Sequence, residues 1–142
     1  MRNIFFILIV LGLFLATGCS KKEEEKLTAS GGNAFAIETG GNWDIQALTE
    51  LHGFVQNKKD DKYVASVFYT VDIITTDGKT LKSLFTKQVD KKESEKISGI
   101  NLEAEFNLDE SYPAGDYKII FNIKDLLSNK TLQDTTNLKL EK

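Results

Sequence analysis

One cysteine, one histidine and one proline are all that the 142 residues contain of those types. A lone Cys19 cannot close an internal disulfide, so the fold must stand without that staple. A lone His52 beside a lone cysteine cannot supply the nitrogen and sulfur ligands of a zinc site. His52 also falls on the outward parity of its strand, next to Gly53, where a solvated ring is expected rather than the oriented base of a nucleophilic triad. Gly31-Gly32 and Gly40-Gly41 lack the Lys-Ser/Thr that completes a phosphate loop and read as turn residues. The acid pairs Asp60-Asp61 and Asp109-Glu110 lack the alternating spacing of a calcium loop. No metal, no cofactor and no enzymatic activity are therefore expected.

Long apolar runs are equally scarce. The one that exists, Ile4 to Ala16, is 13 residues long and follows Met1, Arg2 and Asn3. At helical rise it spans only about 20 Å, well short of a hydrocarbon core of about 30 Å. A charged start followed by a short apolar stretch is the pattern of a cleavable export signal rather than a permanent span. The stretch ends Leu15-Ala16-Thr17-Gly18-Cys19, small residues closing on the only cysteine.

That ending resembles the lipobox of bacterial lipoproteins, with Ala16 standing where the family most often has Leu. The resemblance implies cleavage after Gly18, a thioether-linked diacylglycerol on Cys19 and usually an amide-linked acyl chain, so that residues 1–18 are removed and Cys19 becomes the membrane anchor. Each buried methylene contributes about 0.8 kcal/mol, and two or three chains anchor stably. Ser20 after the lipidated cysteine, rather than Asp, goes with delivery to the outer membrane in two-membrane bacteria. Residues 19–33, charged as far as Lys26 and then rich in small residues and glycine (Ala29 to Asn33), read as a flexible tether. The folded domain is expected over residues 34–142.

Loss of residues 1–18 removes one charged side chain, Arg2, leaving 17 basic against 21 acidic residues and a formal charge of −4. Acids follow the basic pairs Lys58-Lys59 and Lys91-Lys92 at once, so no positive stripe exists to displace counterions from a phosphate backbone, and nucleic acid is not an expected partner.

From Ala34 onward the apolar period is two. Leu102, Ala104, Phe106 and Leu108 alternate with polar residues, as do Tyr117, Ile119, Phe121 and Ile123 with only Ile120 breaking the pattern, which predicts strands with one buried face. Tyr63 to Thr76 puts Ala65, Val67, Tyr69, Val71 and Ile73 on one side with Phe68 and Ile74 on the other, the pattern of a central strand. Asp77-Gly78 reads as a tight turn leading to a partner strand, Lys79 to Val89. Ser128-Asn129-Lys130 joins Gly115 to Leu127 with Thr131 to Leu140. Leu48 to Asn57 and a short edge strand, Phe35 to Glu38, bring the count to about seven, with a turn of helix expected near Lys91 to Ile97. The expectation is an all-β, antiparallel sandwich or barrel.

Tyr112-Pro113-Ala114-Gly115-Asp116-Tyr117 tilts this toward the sandwich. A Pro/Gly corner followed by a strand-opening tyrosine resembles the tyrosine corner of immunoglobulin-like and fibronectin-like domains. The likeness implies that Tyr117 bonds upstream backbone, with Gly115 at the corner. The cysteine pair and central-strand Trp of antibody-type domains are missing. Trp43 sits in Gly40-Gly41-Asn42-Trp43-Asp44, where it is either a plug at one end of the sandwich or a candidate contact residue for a sugar or a protein partner. The functional expectation is a lipid-anchored, non-catalytic interaction module of the bacterial cell envelope that binds another envelope or extracellular protein. The alternative is a carrier of a small ligand or carbohydrate, which needs a concave apolar site.

Overall fold

The computed structural model describes residues 25–141, and Cys19 with the expected signal sequence, residues 1–18, lies outside them. Eight antiparallel strands form two sheets facing each other: β1 (Thr28–Thr39), β2 (Asn42–His52), β3 (Asn57–Lys59), β4 (Lys62–Ile74), β5 (Thr80–Glu93), β6 (Ile100–Leu108), β7 (Gly115–Asp125) and β8 (Thr131–Leu140). One sheet has the order β1-β2-β6. In the other, β4 carries β5 along one edge and, along its other edge, β3 over Lys62 to Val64 and then β7, with β8 beyond. No helix among the described residues is long and apolar enough to cross a membrane.

The alternating strands behave as their parity predicts. Ile100, Leu102, Ala104, Phe106 and Leu108 of β6 face Ala65, Val67, Tyr69, Val71 and Ile73 of β4 and the buried side of β7, and together these fill the space between the sheets. Phe121, fully enclosed, packs its ring 6.0 Å from that of Tyr69. The Tyr69 hydroxyl crosses to β6, where it donates to the carbonyl of Glu103 and accepts from the Glu103 N–H at 3.1 Å. Burial pushes its pKa up.

Several boundaries differ from the sequence reading. Ala29 to Asn33 is not tether: β1 starts at Thr28 and Leu27 is already buried. Its polar and glycine-rich start hides the strand, because a bulge with Gly31 at φ +67° replaces regular alternation there. The expected short strand Phe35 to Glu38 is the middle of this longer one, and Gly40-Gly41 joins it to β2 as a two-residue turn with both φ angles positive. The expected Leu48 to Asn57 strand starts earlier, at Asn42, and breaks at Gly53. A β-carbon on Gly53 would sit 2.1 Å from the Lys26 carbonyl oxygen, and its φ is +68°, so the incoming chain requires glycine here. Asn57 to Lys59 then forms β3, one strand beyond the expected seven, turned into β4 by Asp60-Asp61, both with positive φ. The helical turn expected near Lys91 to Ile97 is the end of β5 and irregular chain, with Ile97 buried. At Asp77-Gly78 only glycine has positive φ, and the N–H of Gly78 bonds the Thr75 carbonyl, giving a bulged three-residue loop. Its exposed Asp77 carboxylate is held down at about 2, chiefly by Lys79 at 2.9 Å and by the Thr75 hydroxyl.

Candidate functional site

The residues singled out in the sequence go to three different places. Cys19 lies outside the described residues. Trp43 is the second residue of β2 rather than part of a loop; it is 1% exposed, and its indole N–H donates to the Tyr112 carbonyl at 3.1 Å. Of the two roles the sequence leaves open for Trp43, that burial supports the plug and corrects the contact role: an enclosed ring has no face to stack on a sugar or enter a partner's pocket. The two-residue turn at Gly40-Gly41 starts β2 early enough to bring the indole under the β6–β7 crossing. Trp43 emission is expected to be blue-shifted and poorly quenched by acrylamide in the native protein, with both properties lost together on unfolding.

Tyr117 opens β7, and its hydroxyl donates to the Pro113 carbonyl at 2.8 Å, four residues upstream. The segment between leaves the three-stranded sheet and enters the five-stranded one, so this bond fastens a crossing between layers. Gly115, at φ +151°, lies so close to Thr76 that a β-carbon there would be 2.8 Å from its methyl group. Burial pushes the Tyr117 hydroxyl pKa up.

His52 ends β2 at the opposite pole. Its Nδ1 is 3.0 Å from the Ser98 carbonyl and its Nε2 3.6 Å from Glu50. Among the described residues, no group of three or more His, Cys, Asp or Glu side chains could hold a metal ion. Asp60-Asp61 and Asp109-Glu110 serve as turns, Asp109 accepting the N–H of Ser111 at 2.9 Å.

Asp125 is a buried carboxylate whose importance pattern reading missed. It receives the N–H groups of Val55 (2.8 Å) and Leu127 (2.9 Å) and the Ser128 hydroxyl (2.7 Å), with the Ser128 N–H at 3.4 Å. Burial pushes its pKa up, but these donors outweigh burial and hold the carboxyl below its ordinary value. All its bonds tie the β2–β3 connection to the β7–β8 turn, a structural task.

The exposed surface that stands out is the outer face of the three-stranded sheet. Pairing puts Phe35 of β1 opposite Gln46, Ile37 opposite Asp44, and Leu48 of β2 between Asn33 and Glu103. Because β2 buries Trp43, Ile45, Ala47, Thr49 and Leu51, these partners all point outward. Phe35 is 44%, Ile37 55% and Leu48 41% exposed. A hollow of about 210 Å³ lies among Phe35, Gln46, Leu48, Glu103 and Glu105.

Strand β1 is inverted in volume: Ala34 and Ala36 face the core, and the large Phe35 and Ile37 face water. Small inward residues let β1 lie close to β8, where a β-carbon on Gly32 would be 3.1 Å from an Asp134 oxygen. The Thr49 hydroxyl donates to that same carboxylate at 2.7 Å. The alternation was visible in the sequence, but hydrophobicity alone assigns Phe35 and Ile37 to the wrong side.

No protein-family model matches the chain, and no curated protein matches it in sequence. Among solved structures it is similar to part of a β-glucuronidase from Bacteroides uniformis, at 14% identity and a TM-score of 0.50, covering 80% of this chain and 13% of that one. The putative ApaA protein of Bordetella pertussis aligns at 9% identity and a TM-score of 0.38, over 82% of this chain and 93% of that one. This chain thus spans about an eighth of the glucuronidase, and the likeness establishes the immunoglobulin-like β-sandwich alone.

Proposed function

We propose that the protein is a lipid-anchored, non-catalytic interaction module of the bacterial cell envelope, held to the outer membrane through Cys19 and binding another envelope or extracellular protein through the outer face of β1-β2-β6. The observation that carries the reading is the cluster of Phe35, Ile37 and Leu48 on one sheet face, large apolar side chains left in water where the same strands had inward positions to hide them. A carbohydrate carrier finds less support, since the one indole is enclosed.

Geometry agrees with tethering. The chain enters the sandwich at Leu27, beside Gly53, at the end away from Trp43. From Cys19 to Leu27 is eight residue steps, so that end stays within about 28 Å of the lipid. The proposed docking face then runs up the side of the domain, open to a neighbour in the same membrane or beyond it.

The test is a photo-reactive amino acid placed in the full chain at Gln46, in the middle of the face, with a second version at Thr135 on the opposite sheet, irradiated in intact cells. A discrete cross-linked partner from position 46 that is lost in the double variant Phe35→Ser/Leu48→Ser, with none from position 135, is the expected outcome. Cross-links from 135 alone, or none from 46, would overturn the assignment of this face.

A further inference from the structure

The three apolar side chains are framed by charge of one sign. By the pairing of β2 with its neighbours, Asp44 and Glu50 of β2 and Glu103 and Glu105 of β6 point outward on the same face. No lysine or arginine among the described residues shares it. The chain holds 18 basic side chains, so a face without one is a local property rather than a reflection of composition. The outer face of the other sheet, by contrast, mixes Lys92, Lys118, Lys124 and Lys139 with Asp72, Asp90 and Asp116.

Routes of association other than the face are obstructed. An exposed strand edge ordinarily recruits a partner strand through free backbone groups. At β6 the Tyr69 hydroxyl occupies both the N–H and the carbonyl of Glu103, in the middle of its outer edge. At β5 the edge is broken by a bulge at Ser83, whose N–H bonds Asp72 at 2.7 Å, and carries Lys82, Lys87, Lys91 and Lys92. On the other side β1 lies against β8, with Gly32 close to Asp134, which also accepts from Thr49 of β2.

Resting on the docking role given to this face, we infer that its occupant is a protein surface whose apolar centre is ringed by lysine and arginine, approaching the sheet face-on rather than adding a strand. Of nearby basic groups, His52 lies beside Glu50, and Lys87 and Lys91 line a hollow at the β6 edge of Glu103. The four carboxylates on the face repel an acidic partner and steer a basic one, while Phe35, Ile37 and Leu48 supply the area that excludes water. Asp44 is oriented for this by Asn107, whose amide donates to it at 2.6 Å.

Two probe peptides of alternating leucine and charge, one with lysine and one with glutamate, separate this from its alternatives. They are titrated into the mature chain, made soluble by Cys19→Ser, and followed by amide chemical shifts. The lysine peptide is expected to move Ile37, Gln46, Leu48 and Glu103, to weaken about tenfold from low to high salt, and to lose binding when Asp44, Glu50, Glu103 and Glu105 become amides. The melting temperature of that amide variant should be unchanged, because all four side chains point outward. Equal shifts from the glutamate peptide, shifts confined to the other sheet, or none from the lysine peptide would overturn the inference. If the amide variant still cross-links from position 46 in cells while Phe35→Ser/Leu48→Ser does not, the docking face stands and the basic partner falls.

Discussion

Phe121→Ala is expected to destabilise the domain by about 3 to 5 kcal/mol, the cost of truncating a fully buried phenylalanine and leaving a cavity. Phe121 has no exposed surface and sits in the middle of β7, between β4 and β8, with its ring tilted against Tyr69. Removing it also loosens Tyr69, whose hydroxyl links β4 to the edge of β6. Lys118→Ala, three residues earlier and exposed, is expected to stay within about 0.5 kcal/mol. Urea unfolding of both variants gives the comparison. Two small and equal effects would mean that the inward and outward sides of β7 had been exchanged.

The second large effect is expected at Asp125. Replacement by Ala strands the N–H groups of Val55 and Leu127 and frees the Ser128 hydroxyl, at a cost of about 3 kcal/mol. Asp125→Asn keeps an acceptor but loses the charge, and should cost about half as much. The two substitutions also differ from the native protein in pH dependence. Because the folded carboxyl lies below its unfolded value of about 3.9, its contribution is fully present above that pH and is lost as the pH falls through the folded value. Acid unfolding of Asp125→Asn should therefore be less steep below about pH 5, while retaining a slope from other carboxylates held low, such as Asp77 and Asp90. An unchanged slope would show that Asp125 does not carry this charge-dependent stability.

How much of this was legible in advance depends on the strand. On β6 apolar and polar side chains alternate without interruption, and on β7 and β4 the period of two survives Ile120 and Phe68, so periodicity identifies the buried face, and the Tyr117 corner follows from a local Pro-Ala-Gly-Asp-Tyr turn. β1 was not legible. It begins with a glycine bulge, hides alanines inward and exposes Phe35 and Ile37, because its inner surface must fit closely against β8, a neighbour about a hundred residues away in the chain. The same holds for Asp125, whose donors come partly from Val55 across the fold. Trp43 shows a third case: the sequence leaves plug and contact both open, and the glycines beside it close a turn in two residues that leaves the indole inside as the plug. Contacts between distant segments decide all three, and composition around a residue carries no record of them.

The docking face was missed for the same reason that β1 was. Its four acids come from β2 and β6, and its apolar side chains from β1 and β2, so only strand pairing brings them onto one surface. Their value to a partner depends on where the domain is held, which returns the matter to Cys19. The proposed tether would raise the effective concentration of the module for partners in the same membrane, so that weak face-on docking would suffice.

Mass spectrometry of the N-terminal peptide from the protein purified from cell membranes tests that tethering most directly. The expected peptide begins at Cys19 and carries a thioether-linked diacylglycerol, and Cys19→Ser abolishes the modification and releases the chain from the membrane fraction. An unmodified Cys19, a mature N-terminus elsewhere, or a Cys19→Ser chain that remains membrane-bound would contradict it.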